Sequence, residues 1–478
     1  MTTKSTLFSL ATLLISAATL ISCAKDETQT VNNQNTPAQT STAVSYASIY
    51  SDESCTTPLV ENVPLTGATT DINFVLSYGL DKVYMKYPTS EGTKVIALDV
   101  PQETVTKADP GSYTYFKYES DRYVTLTVKL PEDAVKNYVT NAGGFTNYHS
   151  SGVAMFEDTW PSKSNVDNIP TGELFGDFND FVADYDLEST INDTADPAQT
   201  WKEQLKVVMH VRAMGGGYPQ RFGLLLEGFD KQYVDDSKTE VKVTLGNYNT
   251  DIADPLTASV VWQGDHPIIY INGLNKLINK TSAAKNGLTL GSVHKLYNTE
   301  NDANLNVAKG LFTITVIFKG ADRSQLSASE ADAQAANYKS AVINTRQQNF
   351  FLITKQGNKS YEIHMQNYAP TEAYKASYSK DLNDKAEGVA VAKDPNNTYT
   401  AADGNVWCFK VPTLTRHATE HTAFTVAYPM YKEWLQNHTA SAADWYIIDN
   451  ANCETTGTHV TFCTGLTKVP MRYVIEEW

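Results

Sequence analysis

The chain is short of cysteine, of positive charge and of nucleophile motifs, and each shortage closes off a class of protein. Only 5 of its 478 residues are cysteine. No two are spaced Cys-x-x-Cys, which argues against a zinc-thiolate site. Lys and Arg number 38 against 54 Asp and Glu, giving a formal net charge of −16. Nucleic acid is therefore excluded as a partner, because phosphate backbones demand a basic footprint. Direct docking on anionic head groups is disfavoured for the same reason. Gly-x-Ser-x-Gly is absent, and no serine pairs convincingly with a histidine. Gly215 to Gly217 lacks the spacing of a dinucleotide fingerprint. We read it as a hairpin turn between two strands, Leu205–Arg212 and Arg221–Glu227.

What the chain does contain supports large cores. Hydrophobic residues make up 41%, with 27 Tyr and 17 Phe, enough for two to three domains. Lys4 precedes an apolar run, Leu7 to Ile21, too short for a lasting membrane span. The run ends in Leu20-Ile21-Ser22-Cys23, which resembles the bacterial lipobox: residues 1–22 would be cut away and a lipid attached to Cys23. Ala24-Lys25-Asp26-Glu27 resembles the surface-export signal of Bacteroidota-type lipoproteins. That resemblance implies an outer-membrane lipoprotein facing outward. The rest of 23–45 is polar and reads as a flexible tether.

From 46 to 150 the chain is strand-like. Short β-branched and aromatic runs such as Lys82-Val-Tyr-Met-Lys-Tyr and Arg122-Tyr-Val-Thr-Leu-Thr-Val are parted by turn clusters, which predicts a small N-terminal β-sandwich. Residues 151–478 read as a larger β-rich domain, with a helix over Ser327–Thr345 and another over Met430–Asn437. Ala423–Tyr428 reads as a strand or edge. Cys453 and Cys463 flank a hairpin with Gly457 in its turn. The two thiols are either bridged or both reduced and partly buried.

The densest chemistry lies in Met155–Glu188, with nine carboxylates against the single Lys163. Its second half alternates: Phe181, Ala183, Tyr185 and Leu187 on one face, Val182, Asp184, Asp186 and Glu188 on the other, which we take as solvated. Asp177, Asn179 and Asp180 sit at the start of that strand, and Glu157 and Asp158 arrive from the neighbouring one. Crowded hard oxygens of this kind suit Ca2+, which takes six to eight oxygen ligands. The alternative is Asx capping of turns. Asp158, Asp177 and Asp180 would also supply the two carboxyls of a glycoside hydrolase. His417-Ala-Thr-Glu420-His421 spells an inverted zinc-protease motif, but its Thr-rich, Pro-flanked surroundings deny it the helix that the chemistry needs. Tryptophans such as Trp160, Trp262 and Trp407 would stack on sugars if exposed. Asp193-Thr194-Ala195 resembles a short O-glycosylation acceptor.

Three pieces in order resemble the LruC-domain lipoproteins. They are Phe156–Pro161 with Gly176–Val182, Val211–Tyr218 leading into Phe222-Gly223, and Ala427-Tyr428-Pro429 to Trp434 with Asp444-Trp445-Tyr446. Ser162–Phe175 is inserted relative to that pattern, and only Asp177-Phe-Asn-Asp of its acidic element is kept. The resemblance implies a β-rich extracytoplasmic domain on a lipid anchor. The combined expectation is a surface-exposed, non-enzymatic binding or adhesion protein with a structural calcium loop and an extracellular protein or glycan as partner. Glycan capture is the alternative and carboxylate-dependent hydrolysis the second.

Overall fold

The computed structural model describes residues 45–101, 119–136, 145–162, 176–192, 203–214, 218, 220–245, 250–252, 257–274, 277–279, 312–384, 398–401, 406–413, 415–419, 422–437, 440–448, 451–456 and 459–466. Residues 1–44, which include the stretch expected to be cut away, Cys23 and all of the expected tether but Ser45, lie outside them, as does Asp193-Thr194-Ala195. Six strands come first: β1 (Tyr46–Tyr50), β2 (Pro58–Pro64), β3 (Thr69–Ser77), β4 (Lys82–Thr89), β5 (Gly92–Asp99) and β6 (Asp121–Lys129). In β4, Val83, Met85 and Tyr87 are buried while Lys82 and Lys86 are exposed, the period of two that the sequence carries. β3 and β6 pair along their whole lengths. This pair packs Ile72, Phe74, Leu76, Val124 and Val128 against Ile49, Val60, Val83 and Met85 of the other strands.

β7 (Phe145–Phe156), β8 (Phe181–Asn192) and β9 (Gln204–Met214) follow. β7 pairs with β8 from Phe145↔Asn192 to Phe156↔Phe181, and through Val60↔Tyr148 it also pairs with β2. The N-terminal strands therefore continue the main sheet. The boundary expected at 150/151 falls inside β7, and residues from Ala43 onward form one compact unit. At Gly152 β7 passes close to its neighbours, since a Cβ there would collide with the Tyr185 ring.

The remaining strands are β10 (Gln220–Leu226), β11 (Glu240–Leu245), β12 (Thr250–Ile252), β13 (Thr257–Gln263), β14 (His266–Asn272), β15 (Leu277–Asn279), β16 (Phe312–Lys319), β17 (Gln348–Gln356), β18 (Lys359–His364), β19 (Cys408–Val411), β20 (Cys453–Thr456) and β21 (His459–Cys463). The ten-stranded sheet runs β11-β16-β9-β8-β7-β2-β1-β4-β5, with β19 also on β7, and a five-stranded sheet runs β13-β14-β10-β17-β18. Their facing side chains, among them Phe181, Tyr185, Met209, Phe222, Ile269, Phe350 and Leu352, make the largest core. The fold is thus mainly β, a sandwich of antiparallel sheets with a few short helices.

Two local expectations fail for tertiary reasons. β9 and β10 are not a hairpin: β8 and β16 already occupy both edges of β9, so β10 crosses to the second sheet and pairs with β14 and β17. Ala423–Tyr428 is not a strand, because Phe424–Ala427 forms a single helical turn whose Phe424 N–H donates to the Gly176 carbonyl at 3.0 Å. Packing of Phe424 against Phe178, Phe409 and Tyr431 overrides its β-prone composition. Four α-helices occur in the described residues, beside short 3-10 turns: α1 (Ala328–Ile343), α2 (Lys375–Asp384), that turn as α3 (Phe424–Ala427), and α4 (Pro429–Asn437). α1 starts at a capping box written in its sequence, Ser327-x-x-Glu330.

Candidate functional site

The β7–β8 register fixes the acidic site. Phe156 opposes Phe181, so Glu157 and Asp158 leave β7 beside Asp177–Asp180 entering β8. Glu157, Asp158, Asp177 and Asn179 are all at most 4% exposed; Asp180 is partly exposed. The carboxylates are engaged by backbone donors. Glu157 Oε1 accepts from Phe178 N–H at 2.6 Å, Asp180 Oδ2 from Asp158 N–H at 2.8 Å, and Asp158 Oδ2 from Tyr218 N–H at 2.9 Å. Asn179 donates through Nδ2 to the Ala418 carbonyl at 3.2 Å, and its Oδ1 is buried without a hydrogen-bond partner among the described residues. One cluster thus joins β7, β8, the connection between β9 and β10, and the C-terminal segment.

The backbone bends to make this possible. Phe178 takes φ +54°, a left-handed conformation that costs a non-glycine residue about 1–2 kcal/mol. Its ring is fully buried against Phe409, which offsets that cost. Gly176 leaves the room that the Glu157 carboxylate occupies, since a Cβ there would collide with it. Burial, with the charges of Asp158, Glu157 and Asp177, pushes the Asp180 carboxyl well above its usual range.

The structure therefore gathers the five residues singled out as calcium ligands. It ties Glu157, Asp158 and Asp180 to backbone N–H donors and sets all four carboxylates in one electrostatic cluster. Among the described residues no three His, Cys, Asp or Glu side chains converge in a ready-made metal site.

The second face of β8 differs from the sequence reading. Val182 is buried against the C-terminal core, and Asp184 pairs with Arg212, which is 0% exposed. Asp186 and Glu188, with side chains 41% and 25% exposed, keep the partly solvated character expected of that face. The signal for the pair was an arginine in the apolar strand Leu205–Met214, which needs an acid when buried.

His417 lies in an extended segment, where Ala418 bridges Leu466. Burial, aided by Arg212, pushes the His417 imidazole down to about 3. Glu420 and His421 lie outside the described residues, and the flanking 415–419 is not helical. Trp160, Trp407, Trp434 and Trp445 are core residues, at most 2% exposed. Trp160 stacks on Tyr378 at 5.6 Å. Trp262 is partly exposed, with Lys231 Nζ 5.2 Å from its ring, while Trp201 and Trp478 lie outside the described residues. Cys453 and Cys463 are joined by a disulfide across β20 and β21.

With this geometry in hand, comparisons place the chain among known proteins. The family model for a domain of unknown function, DUF4842, matches residues 203–446, from the edge of β9 to Tyr446. The crystal structure of a "putative lipoprotein" from Bacteroides ovatus is similar over 87% of this chain and 99% of that one, at 27% identity and a TM-score of 0.67. No curated protein matches.

Proposed function

The chain belongs to the DUF4842 family, and from that premise we propose that it is a lipid-anchored lipoprotein of the outer membrane that faces outward and works by binding. Support for the anchor comes from Leu20-Ile21-Ser22-Cys23 and from the similarity to a Bacteroides ovatus protein named as a lipoprotein. The likeness to LruC-domain lipoproteins, carried by the three pieces from Phe156 to Tyr446, points the same way.

The observation that carries a binding role over catalysis is the use made of the acidic cluster. Glu157, Asp158 and Asp180 each hold a backbone N–H of another segment, so their charge fastens the fold. A general acid–base pair keeps its oxygens for substrate.

Calcium is the ion we propose for this cluster. Asp177, Asn179 and Asp180, with Glu157 and Asp158, supply hard oxygen donors, and the buried Asn179 Oδ1 lacks a hydrogen-bond donor among the described residues. A divalent cation relieves the repulsion that raises Asp180. Its role is structural: it stiffens the surface offered to an extracellular protein or glycan.

Thermal unfolding of the full chain in calcium and in chelator tests this. Saturating calcium at about a hundred times its dissociation constant adds roughly 2.7 kcal/mol and raises the midpoint by a few degrees. Asp177→Ala and Asp180→Ala abolish the rise. Equal midpoints in calcium and chelator would sink the calcium role. Protease shaving of intact cells tests the outward anchor, and release by Cys23→Ala is the expected result. Turnover of a glycan, lost in Asp180→Ala, would replace binding by hydrolysis.

A further inference from the structure

A cavity lies earlier on β7 than the acidic cluster, six residues from Ser151 to Glu157, or ~20 Å along the strand. The β1–β2 turn, the end of β3, the start of β6, the middle of β7 and two C-terminal segments meet around a half-open cavity of about 100 Å³. Asp52, Ser77, Asp121, His149, Thr413 and Tyr446 are part of its lining. They come from six separate places in the chain, so the cavity exists only in the folded unit.

Its charge is one-sided. Asp52 and Asp121 are carboxylates, and His149 is the only base among the lining residues. That imidazole is already matched, with Glu61 Oε2 at 3.3 Å and Asp186 Oδ1 at 4.0 Å. Asp121 is 8% exposed, and among the described residues its one side-chain hydrogen bond, from Ser77 Oγ, is long at 3.5 Å. Lys410 behind it is committed to Glu119 Oε2 at 3.2 Å and to the Thr345 carbonyl at 2.7 Å. The Tyr446 hydroxyl, on a residue 1% exposed, has no hydrogen-bond partner among the described residues. A buried carboxylate and a buried hydroxyl so poorly satisfied are costly.

We propose that this cavity receives a primary alkylammonium group, the head of a lysine side chain or of a free diamine. An ammonium carries three donors and no acceptor, which complements the Asp121 carboxylate, the Tyr446 hydroxyl and Ser77 Oγ. Size narrows the choice. A cavity that holds benzene measures roughly 150 Å³, so about 100 Å³ excludes a sugar ring or nucleobase. It admits a slim cationic head whose chain trails out of the open side past Asp52. Hydrogen bonds from Ser54 Oγ and from the backbone N–H groups of Thr56 and Thr57 hold Asp52 ionised at that rim. This site goes beyond the role proposed above and is measured on the isolated chain, whether or not calcium binds.

Titration calorimetry on the full chain tests it, with Nα-acetyl-lysine methylamide, 1,5-diaminopentane and the uncharged Nα-acetyl-norleucine methylamide. Both amines bind saturably and the norleucine compound does not. Asp121→Asn weakens the amines at least about tenfold, as loss of a charge-assisted hydrogen bond requires, without lowering the melting midpoint. Tyr446→Phe weakens them less. Tighter binding of the lysine derivative assigns the pocket to a polypeptide partner, and tighter binding of the diamine assigns it to a free polyamine. Failure of both amines to bind, equal binding of the norleucine compound, or full affinity in Asp121→Asn overturns the proposal.

Discussion

Arg212 and Asp184 form a buried two-point ion pair across β9 and β8: Nη2 donates to Oδ1 at 2.5 Å and Nε donates to Oδ2. Arg212 Nη1 also donates to the Thr415 carbonyl at 2.8 Å, so one guanidinium ties the main sheet to the C-terminal segment. Burial outweighs the partner's charge and holds the Asp184 carboxyl above its usual range. The pair therefore specifies geometry at some energetic cost. Arg212→Met strands that carboxylate and should cost about 3–5 kcal/mol. In a unit of this size that lowers the thermal midpoint by about 3–6 °C. Adding Asp184→Leu should recover much of the loss, and a double-mutant cycle by thermal unfolding measures it.

Gly176 and Glu157 make a tighter demand. Gly176→Ala drives a methyl into the Glu157 carboxylate and should destabilise by about 1–3 kcal/mol, the usual cost of overpacking. Glu157→Ala removes the obstacle but also the acceptor of Phe178 N–H. In that background Gly176→Ala should cost less than it does alone. Additive effects in chemical denaturation would show that the two residues do not meet.

Much of this architecture was legible because the chain is patterned where it is half-buried. The alternation in β4 and β8 and the helical period of α1 each follow from one local rule. The gathering of Glu157 and Asp158 against Asp177–Asp180 followed from reading two adjacent strands joined by a loop. The failures share a cause. Phe424–Ala427 is β-prone in composition, and only contacts with residues far away in sequence, such as Phe178 and Phe409, make it helical. Asp184 looks solvated in an alternating strand, and only the C-terminal segment laid over it shows otherwise. The cavity at Asp121 and Tyr446 joins residues more than three hundred positions apart, so no periodicity announces it.

His149 links two parts of the main sheet through Glu61 on β2. Burial alone would lower its imidazole, but Glu61, Asp186 and Glu188 outweigh burial and raise it above 6.5. The protonated form therefore favours the folded state. That stability is fully present below pH 6.5 and is lost as pH rises through the raised value. The melting midpoint should decline over this range in the parent chain and stay flatter in His149→Gln.

Asp121 gives the opposite group the same slope in a lower window. Burial, reinforced by Glu119 and opposed by Lys410, Ser77 and Arg346, lifts its carboxyl from 3.8 to about 6. Between these values the folded chain binds more protons than the unfolded one, so stability falls as pH rises from about 4 to 6. The gap corresponds to at most about 3 kcal/mol, a cost present in full above pH 6. Asp121→Asn removes the charge and keeps the shape, so it should stabilise the chain at pH 7.5 and flatten the midpoint between pH 4 and 6. A cation seated in the cavity acts in the reverse sense, holding Asp121 ionised and restoring stability at neutral pH. Melting curves at pH 5 and 7.5, with and without 1,5-diaminopentane, separate these cases. A carboxylate that merely braces the fold gains nothing from the amine. A carboxylate that waits for a cation gains at pH 7.5, gains less at pH 5, and gains nothing in Asp121→Asn.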